Sequence, residues 1–207
     1  MKVILLNGSP HQKGTTMRAL IEATTELNKN GIETEIITVG DKPVRGCIGC
    51  GYCAKNGACV INDDLVNGLV KKIAEADGLI IGSPVYYASI TGTLKCVLDR
   101  VFYSSRGTFA FKPAAAVTVA RRAGTTSAFD EINKYFLISN MPVVASTYWN
   151  NVHGANATDA EKDGEGLQTV RNLAKNMAWL IKNIEAGKEK GIELPKPERT
   201  ERTNFIR

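Results

Sequence analysis

Long hydrophobic runs are what this 207-residue chain most plainly lacks. Its first apolar stretch, Val-Ile-Leu-Leu at 3–6, leads straight into a glycine turn, and no other run approaches the roughly 18 residues needed to cross a bilayer. Neither a membrane span nor a secretory leader is therefore expected. Dense basic blocks are missing too. Lys and Arg are scattered, the net charge is only +5 and aromatics make up 7% of residues, so nucleic-acid recognition through a basic, aromatic-studded stripe has no support. With two histidines, His11 and His153, no Ser/His/Asp nucleophilic set stands out. The Walker A order GxxxxGK(S/T) and the dinucleotide fingerprint GxGxxG are both absent from the loop after the first apolar run. The expectation is a soluble, cytoplasmic protein. In that compartment thiols stay reduced, and clustered cysteines serve metal or redox chemistry more often than disulfides. The mild positive charge suits attraction of anions, phosphorylated cofactors included.

What the chain does have is enough apolar content, 43%, to bury one core of α/β size. Short apolar runs at 2–8, 32–39, 78–85, 112–121 and 141–149 predict five strands. Amphipathic stretches at 15–31, 63–77, 92–103, 126–140 and within 159–187 predict five helices. Strand runs that are apolar throughout suit a sheet covered on both faces. Their alternation with helices predicts an α/β fold: a three-layer, doubly wound domain around a five-stranded parallel sheet with right-handed crossovers. The domain is expected over 1–187, with a cysteine-rich insertion loop at 46–60. Residues 188–207 read as a charged C-terminal tail, either loose or an arm docking on a neighbouring subunit through Phe205 and Ile206.

In open parallel sheets, ligands sit at the carboxyl ends of strands where strand order reverses. The loop Asn-Gly-Ser-Pro-His-Gln-Lys-Gly-Thr-Thr (7–16) lies at that edge. It offers the hydroxyls of Ser9, Thr15 and Thr16, the N–H groups of a helix start, and nearby His11 and Lys13. That set suits a terminal phosphate, although capping and turning alone would also use Ser9 and Thr15. After the third strand, Pro84, Val85, Tyr86 and Tyr87 can wall a flat ring system or simply pack as half-buried aromatics. Arg121, Arg122, Gly124 and Thr125 follow the fourth strand in a small polar run, suited to wrapping a ligand's polar edge or to serving as a plain connection. Lys95, Asp99 and Arg100 fall on the helix between these loops and take structural roles, Lys95 and Asp99 as an i,i+4 pair. Cys96 reads as packing, and His153 as a loop residue.

Four of the five cysteines, Cys47, Cys50, Cys53 and Cys59, follow the spacing C-x2-C-x2-C-x5-C. This is too compact for paired zinc knuckles separated by about a dozen residues. It suits the closely spaced thiolates that ligate iron–sulfur clusters. Gly46, Gly49, Gly51 and Gly57 would let the backbone fold tightly around such an object. Three readings stay open: a four-iron four-sulfur cluster, an empty thiol loop able to form a disulfide, or another metal.

Taken in order, "LNGSPHQKGTT", this cysteine cluster and "GSPVYYASITGTLKCVLDR" resemble the NADPH-dependent FMN reductase and iron–sulfur flavoprotein families over residues 1 to 150. The resemblance implies a flavodoxin-like FMN-binding domain. Residues 9–16 would hold the FMN phosphate, 84–87 would lie beside the isoalloxazine ring, and 121–125 would form a third contacting loop. It implies a homodimer or homotetramer, and in the iron–sulfur flavoproteins a compact cysteine motif that this chain matches at all four positions. Flavin chemistry needs an anion site, a flat slot and polar groups near the ring's reactive edge. Hydride transfer from NAD(P)H then needs stacking and exclusion of water, so no side chain is assigned as nucleophile or general base. The expected activity is an FMN-dependent oxidoreductase taking hydride from NAD(P)H and passing electrons to a flavin, a quinone or another acceptor. The alternative is a non-enzymatic electron carrier exchanging electrons with a ferredoxin-like partner, which the basic net charge disfavours. A third reading is a redox-sensing module built on the four thiols.

Overall fold

Strand β1 (Lys2–Asn7) buries Val3, Ile4, Leu5 and Leu6 completely. Alternate side chains enter different cores, because a strand points successive residues to opposite faces of its sheet. Val3 and Leu5 pack with Ala19, Leu20, Val170 and Leu173, whereas Ile4 and Leu6 pack with Leu69, Leu94, Val97 and Ile132. In this computed structural model, which describes residues 1–201, 203 and 205, β1 is an interior strand of a five-stranded sheet. Its partners are β2 (Glu33–Thr38), β3 (Gly78–Pro84), β4 (Ala114–Ala120) and β5 (Asn151–His153), all parallel, in the order β2-β1-β3-β4-β5. That is the flavodoxin-like order, and it reverses between β1 and β3.

Helices α1 (Thr15–Lys29) and α7 (Gly164–Glu189) cover one face. Helices α3 (Val66–Glu75), α4 (Gly92–Ser105) and α5 (Thr125–Ile138) cover the other. The short α2 (Tyr52–Asn56) lies within the cysteine loop, and the single turn α6 (Ala157–Ala160) leads into α7. Among the described residues no helix is long and apolar enough to cross a membrane. Phe205 is exposed, and Ile206, its expected companion in an anchoring arm, lies outside the described residues.

The fifth strand departs from the expectation at 141–149. Only 142–144 touches the sheet there: Ala114 N donates to Pro142 O (2.9 Å) and Val144 N to Ala114 O (2.8 Å). The chain then leaves the sheet and returns at 151 as β5. Asn150 bridges the gap, since its Nδ2 donates to Ala116 O (3.0 Å) and its carbonyl accepts from Thr118 N (2.9 Å). The detour is held by Ser146 Oγ, which donates to Tyr148 O (2.6 Å). Such local hydroxyl bonds let serine compete with a ladder. Proline's missing N–H at 142 also removes one ladder donor.

Candidate functional site

The chain leaves β1 through a glycine where any side chain would crowd its neighbours. Gly8 N donates to Gly82 O (2.8 Å) at the end of β3, and a Cβ at Gly8 would lie 2.5 Å from Leu94 Cδ2 and 2.9 Å from Gly82 O. Thr91, the N-cap of α4, accepts from Leu94 N (3.2 Å) and donates through Oγ1 to Gly8 O (2.8 Å), so the start of α4 braces the loop. Beyond it, Ser9 N donates to Asn7 Oδ1 (3.1 Å) and His11 N to Ser9 Oγ (3.1 Å). Asn7 Nδ2 is buried and has no protein partner.

The loop ends at Gly14, which caps α1 with no side-chain hydrogen bond, and α1 carries no acidic residue in its first turn. Its leading N–H groups and the positive end of its dipole thus stay available to an anion. The resulting cleft holds about 820 Å³, a size suited to a cofactor. Ser9, His11, Lys13, Thr15 and Thr16 line it at the α1 end, and Pro84, Val85, Tyr86 and Arg121 at the ends of β3 and β4.

Tyr87, Arg122, Gly124 and Thr125 do not line the cleft. Tyr86 and Ser89 exchange both backbone hydrogen bonds (2.9 and 3.0 Å) around a two-residue turn, Tyr87 (φ 52°) and Ala88 (φ 59°). Such turns need left-handed residues at both central positions, a strained state for side chains other than glycine. Glu131 pins the turn by accepting from Ser89 Oγ and from Ile90 N (3.2 Å). Gly124 (φ 88°) supports it from beneath, because a Cβ there would lie 2.9 Å from Ala88 Cα. Tyr87 consequently projects fully into solvent. Arg122 is exposed, while Thr125 is buried at the start of α5, where its carbonyl accepts from Thr118 Oγ1 (3.2 Å).

One wall of the cleft was not among the expected loops. Gly154, Ala155, Asn156 and Ala157 close it on the β5 side, and Thr15 Oγ1 donates to Gly154 O (3.4 Å). Placing the fifth strand at 141–149 hid them. With β5 at 151–153, "HGAN" falls at a strand's carboxyl end, where ligand loops belong.

Away from this cleft, Cys47, Cys50, Cys53 and Cys59 line a single cup with Ile48, Val60, Ile61, Tyr103 and Arg100. Cys53 is buried on α2, Cys59 is half-buried, and Cys47 and Cys50 are exposed on irregular backbone. Gly51 (φ 69°) and Gly57 (φ 68°) bound α2 in the left-handed conformation, turning the chain sharply at both ends. Among the described residues no three His, Cys, Asp or Glu side chains are grouped to hold one metal ion. A cluster makes a different demand, since each thiolate bonds its own iron. An all-sulfur donor set on one cup suits that demand. The cup's free volume is about 20 Å³, and its two exposed thiols, Cys47 and Cys50, lie on irregular backbone at its edge. Arg100, assigned a generic structural role from sequence, is the one charged side chain among the described residues lining the cup.

Comparison with known proteins agrees with this geometry. The family model for NADPH-dependent FMN reductase matches residues 1–156. An iron-sulfur flavoprotein of Methanocaldococcus jannaschii is 38% identical over 194 residues, covering 89% of this chain and 99% of that protein. An iron-sulfur flavoprotein of Methanosarcina thermophila is 31% identical over 195 residues, covering 92% and 100%. A flavodoxin from the domain Archaea shares the fold, with a TM-score of 0.61 at 15% identity, covering 88% of this chain and 99% of its own. A cleft at the β1/β3 reversal, an uncapped helix start and this family match lead to one conclusion: the chain belongs to the NADPH-dependent FMN reductase family, FMN-dependent oxidoreductases built here on a flavodoxin-like sheet.

Proposed function

We propose that this chain takes hydride from NAD(P)H at FMN seated in the β1/β3 cleft and passes the electrons on through a four-iron four-sulfur cluster held by Cys47, Cys50, Cys53 and Cys59. The single observation that carries this reading is the pairing, in one small domain, of a cleft with an open helix N-terminus and a separate cup lined by four thiols. FMN supplies the step from two-electron to one-electron chemistry. The protein's own contribution is positional. The start of α1, with Ser9, Thr15 and Thr16, would bind the phosphate, and Lys13 would add positive charge beside it. Pro84, Val85 and Tyr86 would present the flat wall for the ring. Arg121 at the rim is the candidate partner for the 2′-phosphate of NADPH. No side chain moves a proton in this scheme.

The acceptor is proposed to be a small flavin or quinone at the cleft, or a redox protein at the cup. Exposed Ile48, Tyr52, Val60 and Tyr103 around the thiols favour the second route, because an apolar rim with few charges is what a transient protein partner covers. The assembly is proposed to be a homodimer or homotetramer, and light scattering tests it. Purification without air, followed by a visible spectrum and iron and sulfide analysis, tests the cofactors. The expected spectrum has two flavin bands on a broad cluster absorbance that bleaches on reduction. Colourless protein that leaves NADPH unoxidised after addition of FMN overturns the proposal.

A further inference from the structure

We propose that Arg100 is a positioning residue for the cysteine cup. It holds Cys59 through an Nε–H···Sγ hydrogen bond and raises the reduction potential of the iron–sulfur group those thiols would carry. The inference rests on the cluster reading above. Arg100 projects from α4 with a side chain that is 0% exposed. Its Nε donates to Cys59 Sγ (3.3 Å), Nη1 donates to Arg45 O (3.1 Å) and to Asp64, and Nη2 donates to Ile61 O (2.8 Å) and to Asp64 Oδ1 (3.2 Å). Arg45 precedes the first cysteine of the cup, whereas Ile61 and Asp64 follow the last. One buried guanidinium therefore ties both ends of the cysteine loop to α4.

A purely structural arginine would need only the ion pair and the two carbonyls. The Nε–H is spent instead on sulfur. A neutral thiol is a weak acceptor, and a buried donor facing a weak acceptor forfeits much of its desolvation cost. A thiolate bonded to iron is anionic and accepts far better. The geometry thus suits Cys59 as a ligand rather than as a free thiol. Reduction of a cluster places additional negative charge on its sulfurs, so a hydrogen bond to one of them strengthens on reduction and favours the reduced state. Asp64 balances the guanidinium charge, its side chain 11% exposed. The effect is therefore that of a fixed N–H dipole aimed at sulfur, not of a bare cation.

The test compares anaerobically reconstituted wild type, Arg100→Lys and Arg100→Gln for iron and sulfide per chain and for cluster potential in a redox titration followed by electron paramagnetic resonance. At the wild-type midpoint, the ratio of reduced to oxidised cluster in Arg100→Gln should be about fivefold to tenfold lower, a part of the full worth of a hydrogen bond to a charged acceptor, because the bond is present in both redox states and only its strengthening on reduction counts. Arg100→Lys should fall between the two. Equal potentials in fully loaded variants overturn the proposal and leave the cluster reading standing. Wild type that takes up no iron overturns both. Because Arg100→Gln leaves Asp64 buried without its partner and can fail to fold, a second measurement uses the unmutated protein with nitrogen-15 arginine. Pulsed resonance on the reduced cluster should detect a nitrogen coupling, and its absence defeats the assignment.

Discussion

At the scale of single residues, the cleft depends on backbone positions more than on reactive side chains. Gly8 sits where a methyl group would meet Leu94 and the Gly82 carbonyl at once. Gly8→Ala should therefore cost about 1–3 kcal/mol, the usual penalty for overpacking a well-filled site. It should also weaken FMN binding, because the same loop shapes the anion site. Thermal melts and titration by flavin fluorescence quenching measure the two effects separately. The turn at Tyr87 and Ala88 gives a contrasting case. Both residues are left-handed, and a glycine at 88 would relieve one of them. Ala88→Gly should stabilise the apo protein by about 1 kcal/mol, the lower bound of the strain at such a position. If the strained turn sets the orientation of Tyr86 at the cleft, the same variant should bind FMN less tightly despite its higher melting temperature. A melting temperature that fails to rise would mean that the strain relieved does not exceed the entropy glycine adds to the unfolded chain.

At the scale of elements, the packing of α1 on α7 is fastened by Glu22, which accepts from Arg18 (2.8 Å) on its own helix and from Arg171 on the other. Partial burial pushes its carboxyl upward, but the hydrogen bonds from Arg171 and Arg18 outweigh this and hold it below its ordinary value of 4.5. A carboxyl lowered by folding contributes stability above the unfolded value, and that contribution is lost as pH falls through the folded value. Glu22→Gln should therefore lose about 1 kcal/mol at neutral pH. Urea titrations across the acid range should show the wild-type advantage shrinking below pH 4.5 and gone once Glu22 is protonated in both states. Persistence of the full difference under strongly acidic conditions would assign it to packing instead. The central elements were legible in the chain because β1, β3 and β4 are short, nearly unbroken apolar runs, which only a sheet covered on both faces uses. The region of β5 was not legible, since Val143 and Val144 look as strand-like as Val152, and only tertiary pairing selects 151–153. Arg100 escaped for a related reason. An arginine on an amphipathic helix is read by default as solvent-facing, yet it stands three residues after Val97 and four before Ser104, both buried. That register was the available signal.

At the scale of the whole molecule, the cleft and the cup share no lining residue, yet one helix serves both. Thr91 at the N-terminus of α4 braces the loop at Gly8, and Arg100, nine residues later, anchors the cup, an axial offset of roughly 14 Å at the helical rise per residue. Such an arrangement separates flavin binding from thiol chemistry while keeping their geometry rigidly related. Replacing a thiol should therefore divide the activities instead of abolishing them together. Cys53→Ser should bind FMN and oxidise NADPH with a free flavin as acceptor within about twofold of wild type, the latitude expected when sites do not touch. Electron delivery to a one-electron protein acceptor should collapse in the same variant, because a serine hydroxyl is a poor substitute for a thiolate ligand to iron. Stopped-flow mixing of the NADPH-reduced variant with such an acceptor measures this second rate directly. If both rates survive, the electrons leave from the cleft and the cup has no part in transfer. If both are lost while the fold is intact, the cleft and the cup act as a single site, and their separation along α4 has no functional meaning.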